Sequence, residues 1–251
     1  MRIRQIRNAT LKIVYGGITF LLDLWLQNRR TGFSALAVRP EMKGVKSPLN
    51  ALPMSPEEVL NGVDYCLVTH IHPDHFTEHY LPKNIKIMVQ NDTDCKKAKA
   101  FGFENVSVIA DNGTKTGIVT IMKTPSAHGD NEQVVVRMGE TSGYLLTGED
   151  KSLYIAGDTV FYSGVAETLN RFAPDVIIVN CCEATAPDGR LVMNLHDVEC
   201  VCGLCPEATV IATHLDSVNH ALLTSGDIRQ FAFDNHLNQV VVPCNGEWIQ
   251  K

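Results

Sequence analysis

His70-Ile71-His72-Pro73-Asp74-His75 sets four candidate metal ligands within six residues, directly behind the apolar run from Val63 to Val68. That run mixes β-branched, aliphatic and aromatic side chains and reads as a short buried strand ending near Thr69. Side chains two positions apart on an extended chain point the same way. His70 and His72 can therefore converge on one cation, with imidazole nitrogens about 2.0 to 2.1 Å from it. Pro73 suits a first helical turn, so the pattern predicts a helix over 73–80, with Asp74 and His75 at its start facing a second cation position. The competing reading is an exposed His-rich loop. With nine histidines in the whole chain, such tight clustering counts against it.

Three more potential ligands stand just past apolar strands. His128 follows Val119–Met122 through TPSA, Asp158 follows LYIAG, and His214 follows TVIAT. Taken singly they read as a loop polar residue, a helix cap and a satisfied core histidine. Their shared position at strand exits, where loops gather at one edge of a sheet, favours ligation.

Residues 2–7 and 10–15 alternate apolar and polar side chains. Gly16 and Gly17 then turn the chain into the strand Ile18–Leu22, with Asp23 at its end. Residues 28–56, rich in Pro and Gly, form a long irregular loop that either covers a pocket or wanders over the surface. Ser55 through Glu58 start a helix that leads into the histidine-bearing strand. Beyond it come a strand over 85–90, a helix over 92–102, and strands near 105–109 and 117–123. In the second half, strands are read at 133–138, 143–147, 152–156, 176–179, 210–213 and 239–243. Helices are read at 163–171, 197–204 and 224–234. Strands followed by helices in both halves favour layered mixed sheets.

The 251 residues are long enough for a substantial core, and one domain over 1–251 is preferred to two small ones. No apolar stretch approaches a membrane span. The N-terminus lacks a secretory core and cleavage site, which makes the cytoplasm the default location. A net charge of −6 argues against a nucleic-acid partner and leaves small molecules, anionic ones included, since a metal site supplies local positive charge. A homo-oligomer is compatible with this composition. Eight irregularly spaced cysteines are expected to be reduced thiols. Cys200, Cys202 and Cys205 make CxCxxC, but a zinc site would need a fourth ligand, and packing on a helix is the preferred reading. Cys181 and Cys182 either line a pocket and respond to oxidation or are simply buried.

In this order, HxHxDH (70–75), SAHG (126–129), AGDT (156–159) and ATHLD (212–216) resemble the metal motifs of the metallo-β-lactamase superfamily. FLLD (20–23) resembles its early aspartate motif, so the likeness spans most of the chain. The resemblance implies an α+β fold, an αββα sandwich of two mixed sheets with helices outside. It also implies that His70, His72 and His128 hold one ion, that Asp74, His75 and His214 hold the other, and that Asp158 bridges them. Asp23 would brace the ligand loop. The RNAT opening (7–10), the short length and THLDSVNH (213–220) are most similar to the branch containing ascorbate-6-phosphate lactonase and N-acyl phosphatidylethanolamine phospholipase D. The large insertions of RNA-processing relatives are missing.

The function expected from these residues is metal-dependent hydrolysis of a small, anionic ester, lactone or phosphodiester. Two divalent ions, zinc or manganese, would generate hydroxide from a shared water, and Asp74 would orient it. His196 and His220 could each donate a proton to the leaving group or bind an anionic substrate; His220 is otherwise an ordinary hydrogen-bonded histidine, and for His196 a structural role, capping its helix, is preferred. The alternatives are an iron-dependent oxidoreductase on the same ligands and a noncatalytic metal-binding protein.

Overall fold

The computed structural model describes residues 1–251. The first half builds β1 (Arg2–Arg7), β2 (Thr10–Tyr15) and β3 (Ile18–Leu22), then α1 (Pro56–Leu60), β4 (Tyr65–Leu67), β5 (Lys86–Val89), α2 (Asp92–Ala100) and β6 (Asn105–Val108). The second half runs β7 (Thr114–Thr116), β8 (Val119–Thr124), α3 (Glu132–Met138), β9 (Gly143–Thr147), β10 (Leu153–Ile155), α4 (Ser163–Phe172) and β11 (Val176–Asn180). It continues through the hairpin β12 (Thr185–Ala186) and β13 (Gly189–Arg190), then α5 (Leu195–Leu204), β14 (Thr209–Thr213), α6 (Ser225–Asp234) and β15 (Val240–Val241). A last strand, β16 (Trp248–Gln250), returns to the first sheet, where Ile249 pairs with Ile3.

Two seven-stranded sheets result, ordered β16-β1-β2-β3-β4-β5-β6 and β15-β14-β11-β10-β9-β8-β7. Strand alternation explains the layers. Ile3, Ile13, Phe20 and Leu67 of the first sheet face Ile121, Leu146, Ile155 and Ile178 of the second, forming the core between them. Leu21, Cys66 and Ile87 face outward against Val59 of α1 and Ala98 of α2. On the far side Tyr154, Ile177 and Val210 meet Val165, Leu169, Val198 and Ile228 of α4, α5 and α6. This is the expected αββα sandwich. No helix is long and apolar enough to cross a membrane.

Two expected elements differ. Residues 73–80 form a turn rather than a helix: after Phe76 N donates to His72 O at 2.8 Å, the chain pairs with the end of β3, Thr77 N donating to Leu24 O at 3.0 Å. The backbone groups a helix would use are spent on the sheet margin. The Val-rich run expected as a strand over 133–138 is helix α3, because Asn131 caps it by accepting from Val134 N and Gly139 ends it at φ +81°. The caps outweigh the β preference of its valines. The strand expected near 117–123 is β8, and a further short strand, β7, precedes it across a turn at Gly117 (φ +57°).

Candidate metal centre

Strands β3, β4 and β5 are parallel, as are β10, β11 and β14, so their C-terminal ends share an edge in each sheet. Ligands gather at such edges. The chain leaves β3 at Asp23, β4 at Thr69 and His70, β8 toward His128, β10 at Asp158, and β14 at His214. The exits bend sharply: Asp23 (φ +43°), His214 (φ +64°) and Asp216 (φ +60°) hold left-handed backbone, as does Asn8 (φ +54°) between β1 and β2. Such non-glycine residues cost about 1 kcal/mol or more each, which packing at a site must offset. Gly157 (φ +68°) makes the bend before Asp158, where an added Cβ would lie 3.0 Å from the Ser142 carbonyl.

The bends bring together the seven residues expected as ligands. Donor atoms of His70, His72 and His128 form one cluster, those of Asp74, His75 and His214 a second, and those of His70, His75 and Asp158 a third between them. His70 Nε2 lies 2.9 Å from His72 Nδ1, His75 Nε2 lies 3.1 Å from His214 Nε2, and Asp74 Oδ2 lies 3.1 Å from His214 Nε2. Asp158 Oδ2 reaches His75 Nε2 at 3.2 Å and His128 Nε2 at 3.4 Å.

The outer ring nitrogens assign the tautomers. His75 Nδ1 donates to Asp23 Oδ2 at 2.7 Å, His128 Nδ1 to Leu191 O at 2.9 Å, and His72 Nε2 to Met138 O at 3.0 Å. His70 Nδ1 pairs with Thr69 Oγ1 at 3.0 Å, and that hydroxyl donates to Asp23. In the three rings that stay neutral, His70, His72 and His128, the bond leaves the opposite nitrogen with its lone pair turned inward, toward other acceptors. Unbridged lone pairs repel, whereas donors about 2.0 to 2.1 Å from one zinc-sized ion stand about 3.0 to 3.4 Å apart. The donor set fits divalent cations.

Burial pushes the pKa values of His70 and His72 down and that of His128 down to about 4, which keeps these imidazoles neutral. Burial also opposes charge on His75, but Asp158, Asp23 and Asp74 outweigh it and lift its value to about 10. His214 is likewise raised: burial opposes its charge, and Cys182, Asp158 and Asp74 overcome that. Without ions, protons on these two rings balance the buried carboxylates.

Above the centre lies a cleft of about 490 Å³. His72, Asp74, His128, Asp158 and His214 form its floor, and Phe33, Leu36, Met138, Ala186 and Leu191 are among its walls. The long loop over 28–56 thus covers the pocket. Arg137 is the one Lys or Arg in the lining, and Asp188 holds it in a two-pronged pair at 2.7 and 3.0 Å. His220 lines the cleft too, with its Nδ1 buried and unpartnered, and burial lowers its pKa.

Other expected residues fall elsewhere. Asn194, not His196, caps α5; His196 is exposed in the first turn, near Glu199 and Cys200. Cys202 and Cys205 pack in the outer core while Cys200 is partly exposed, so CxCxxC gathers no thiol cluster. Cys181 and Cys182 are buried outside the cleft lining, but Cys182 Sγ touches His214 Nδ1 at 3.3 Å. Asn8 was legible only as part of RNAT: its Nδ2 donates to Asp74 O at 3.3 Å and lies 3.2 Å from His214 Nε2.

The family profile described as Beta-lactamase superfamily domain matches residues 39–215, a span that holds all seven clustered residues. The UPF0173 protein YddR of Bacillus subtilis is 36% identical, covering 98% of each chain. The chain belongs to the UPF0173 metal-dependent hydrolases of the β-lactamase superfamily. A UPF0173 metal-dependent hydrolase of Hyperthermus butylicus is 25% identical over 99% of this chain and 98% of its own. Among solved structures, an isothiocyanate hydrolase from Delia radicum gut bacteria superposes with a TM-score of 0.93 at 32% identity, covering 100% of this chain and 99% of that one. Against that UPF0173 background the convergent imidazoles and carboxylates are what a metal-dependent hydrolase needs.

Proposed function

We propose that this hydrolase works with two divalent ions, zinc or manganese, held by His70, His72, His128, Asp74, His75 and His214 and bridged by Asp158, on a small neutral substrate with an apolar arm. The observation that carries the reading is the contrast between a floor of convergent imidazoles and carboxylates and walls that offer no unpaired cation. An anionic substrate, expected from the sequence, would find positive charge only at the ions. Phosphate-bearing substrates of the lactonase and phospholipase D branch are disfavoured on the same ground. Neutral lactones and esters suit the walls. An isothiocyanate, the substrate class in the name of the gut-bacterial relative, is also a compact neutral electrophile with an organic arm.

Paired divalent ions, when bound, bring the pKa of water toward neutrality and polarise the electrophilic group. Asp74, whose pKa is held low by His75 and His214 against the cost of burial, is ionised and would orient and accept a proton from the attacking water. His220, kept neutral by burial, presents its ring to the leaving atom as a hydrogen-bond partner rather than as a charged acid. The apolar walls exclude competing water from the arm side.

Metal-loaded protein should be assayed against an alkyl isothiocyanate, a lactone and a phosphodiester, with oxygen uptake followed in parallel. Turnover of a neutral compound without oxygen uptake supports the proposal. Turnover of the phosphodiester alone overturns the substrate reading, and bound iron with oxygen consumption overturns hydrolysis.

A further inference from the structure

Four of the five clustered histidines anchor their outer ring nitrogen on oxygen: the Asp23 carboxylate, the Leu191 and Met138 carbonyls and the Thr69 hydroxyl. The fifth does not. His214 Nδ1 meets the thiol of Cys182 at 3.3 Å, in a region fully closed to solvent. Outer partners fix the orientation of a ligating imidazole and raise its basicity, and their loss weakens metal binding. A thiol sulfur is a weak acceptor beside a carboxylate or a carbonyl. His214 also leaves β14 through a left-handed backbone, so its ring orientation depends on such side-chain support.

Cys181 supplies an internal comparison. It leaves β11 beside Cys182 and is equally buried, but turns its Sγ toward the Thr213 carbonyl at 4.0 Å. Any effect of Cys182 that Cys181 does not share belongs to the ring contact rather than to packing.

We propose that Cys182 is a positioning residue that holds His214 through sulfur, and that this soft support makes the ion at Asp74, His75 and His214 the more weakly held and more exchangeable of the pair. The inference rests on the two-ion reading above. In chemical terms, one ion is a permanent part of the centre and the other comes and goes with zinc availability.

The test is competition titration of the stripped full chain with zinc(II) against a chromogenic chelator, paired with cobalt(II) absorption spectra, for the wild type, Cys182→Ala, Cys182→Ser and Cys181→Ala. The wild type should bind two ions of unequal affinity. Cys182→Ala should weaken the looser one by about 10- to 100-fold and change the cobalt bands of that ion, leaving the tighter one unmoved. Cys182→Ser, whose hydroxyl is the stronger acceptor, should match or exceed the wild-type affinity, and Cys181→Ala should match the wild type. Unchanged affinities and spectra in Cys182→Ala, weakening of the tighter ion instead, or an equal loss in Cys181→Ala, would each overturn the role given to Cys182. A wild type that binds a single ion overturns the two-ion reading itself, and the ranking of sites with it.

Discussion

Asp158 Oδ2 lies within 3.4 Å of one imidazole from each three-ligand cluster, while its Oδ1 accepts from Asn180 Nδ2 at 2.6 Å. A carboxylate pinned on one oxygen and shared on the other suits a bridge. Asp158→Ala should therefore lose metal and hydrolysis together, as read by elemental analysis beside turnover. Asp23 acts one bond further out, so Asp23→Asn should weaken metal binding by about 10- to 100-fold while the fold, followed by circular dichroism, persists. His220→Ala should lower kcat about 100-fold with metal content intact, since its ring borders the cleft and not the donor clusters. The raised value of His75, about 10, gives a pH effect of definite sign. The stripped fold carries that proton at pH 7.5, and a ligating imidazole must be neutral, so zinc uptake should release protons, detectable by calorimetry in two buffers of different ionisation enthalpy. Uptake without release would contradict the assignment. By the same linkage, protonated His75 stabilises the stripped fold fully below its ordinary 6.5, and that contribution is lost as pH rises through about 10.

At the scale of elements, one side chain ties the cleft roof at two points along its length. Asn219 donates Nδ2 to Ala35 O at 2.9 Å and to Met42 O at 3.2 Å, and its Oδ1 accepts from Ala35 N at 3.0 Å. Asn219→Ala should cost about 1 kcal/mol of stability, since it orphans part-buried backbone groups, and should raise KM for a substrate with an apolar arm without altering metal content. Denaturant titration and steady-state kinetics read the two effects. That roof was not legible in the sequence, because residues 28–56 carry no periodicity and their anchor sits far along the chain. The strands ending at Asp23, Thr69, Asp158 and His214 were legible, since each is an apolar run closed by a polar residue. Pattern failed at 73–80, where strand-margin pairing took the backbone bonds, and at 133–138, where caps at Asn131 and Gly139 decided against the valines. The seven clustered residues could be picked out from motif order, whereas the outer partners Leu191 O, Met138 O and Cys182 Sγ could not, because tertiary contact alone supplies them.

For the whole molecule, the donor atoms come from exits of both sheets: His70, His72, Asp74 and His75 from the first, His128, Asp158 and His214 from the second. Ion binding would therefore tie the sheets at one edge, while the core between them ties their faces. Residues 1–251 are expected to unfold in one cooperative transition, at a temperature that falls when a chelator strips the protein; separate transitions for the two halves would contradict a single domain. The central claim is that both clusters hold ions and that those ions drive hydrolysis. It is tested most directly by counting metal per chain by mass spectrometry in protein of known turnover, before chelation, after it, and after zinc or manganese is returned. The account predicts two ions per chain and activity that disappears and returns with them. Full turnover in protein that carries one ion, or none, would contradict it.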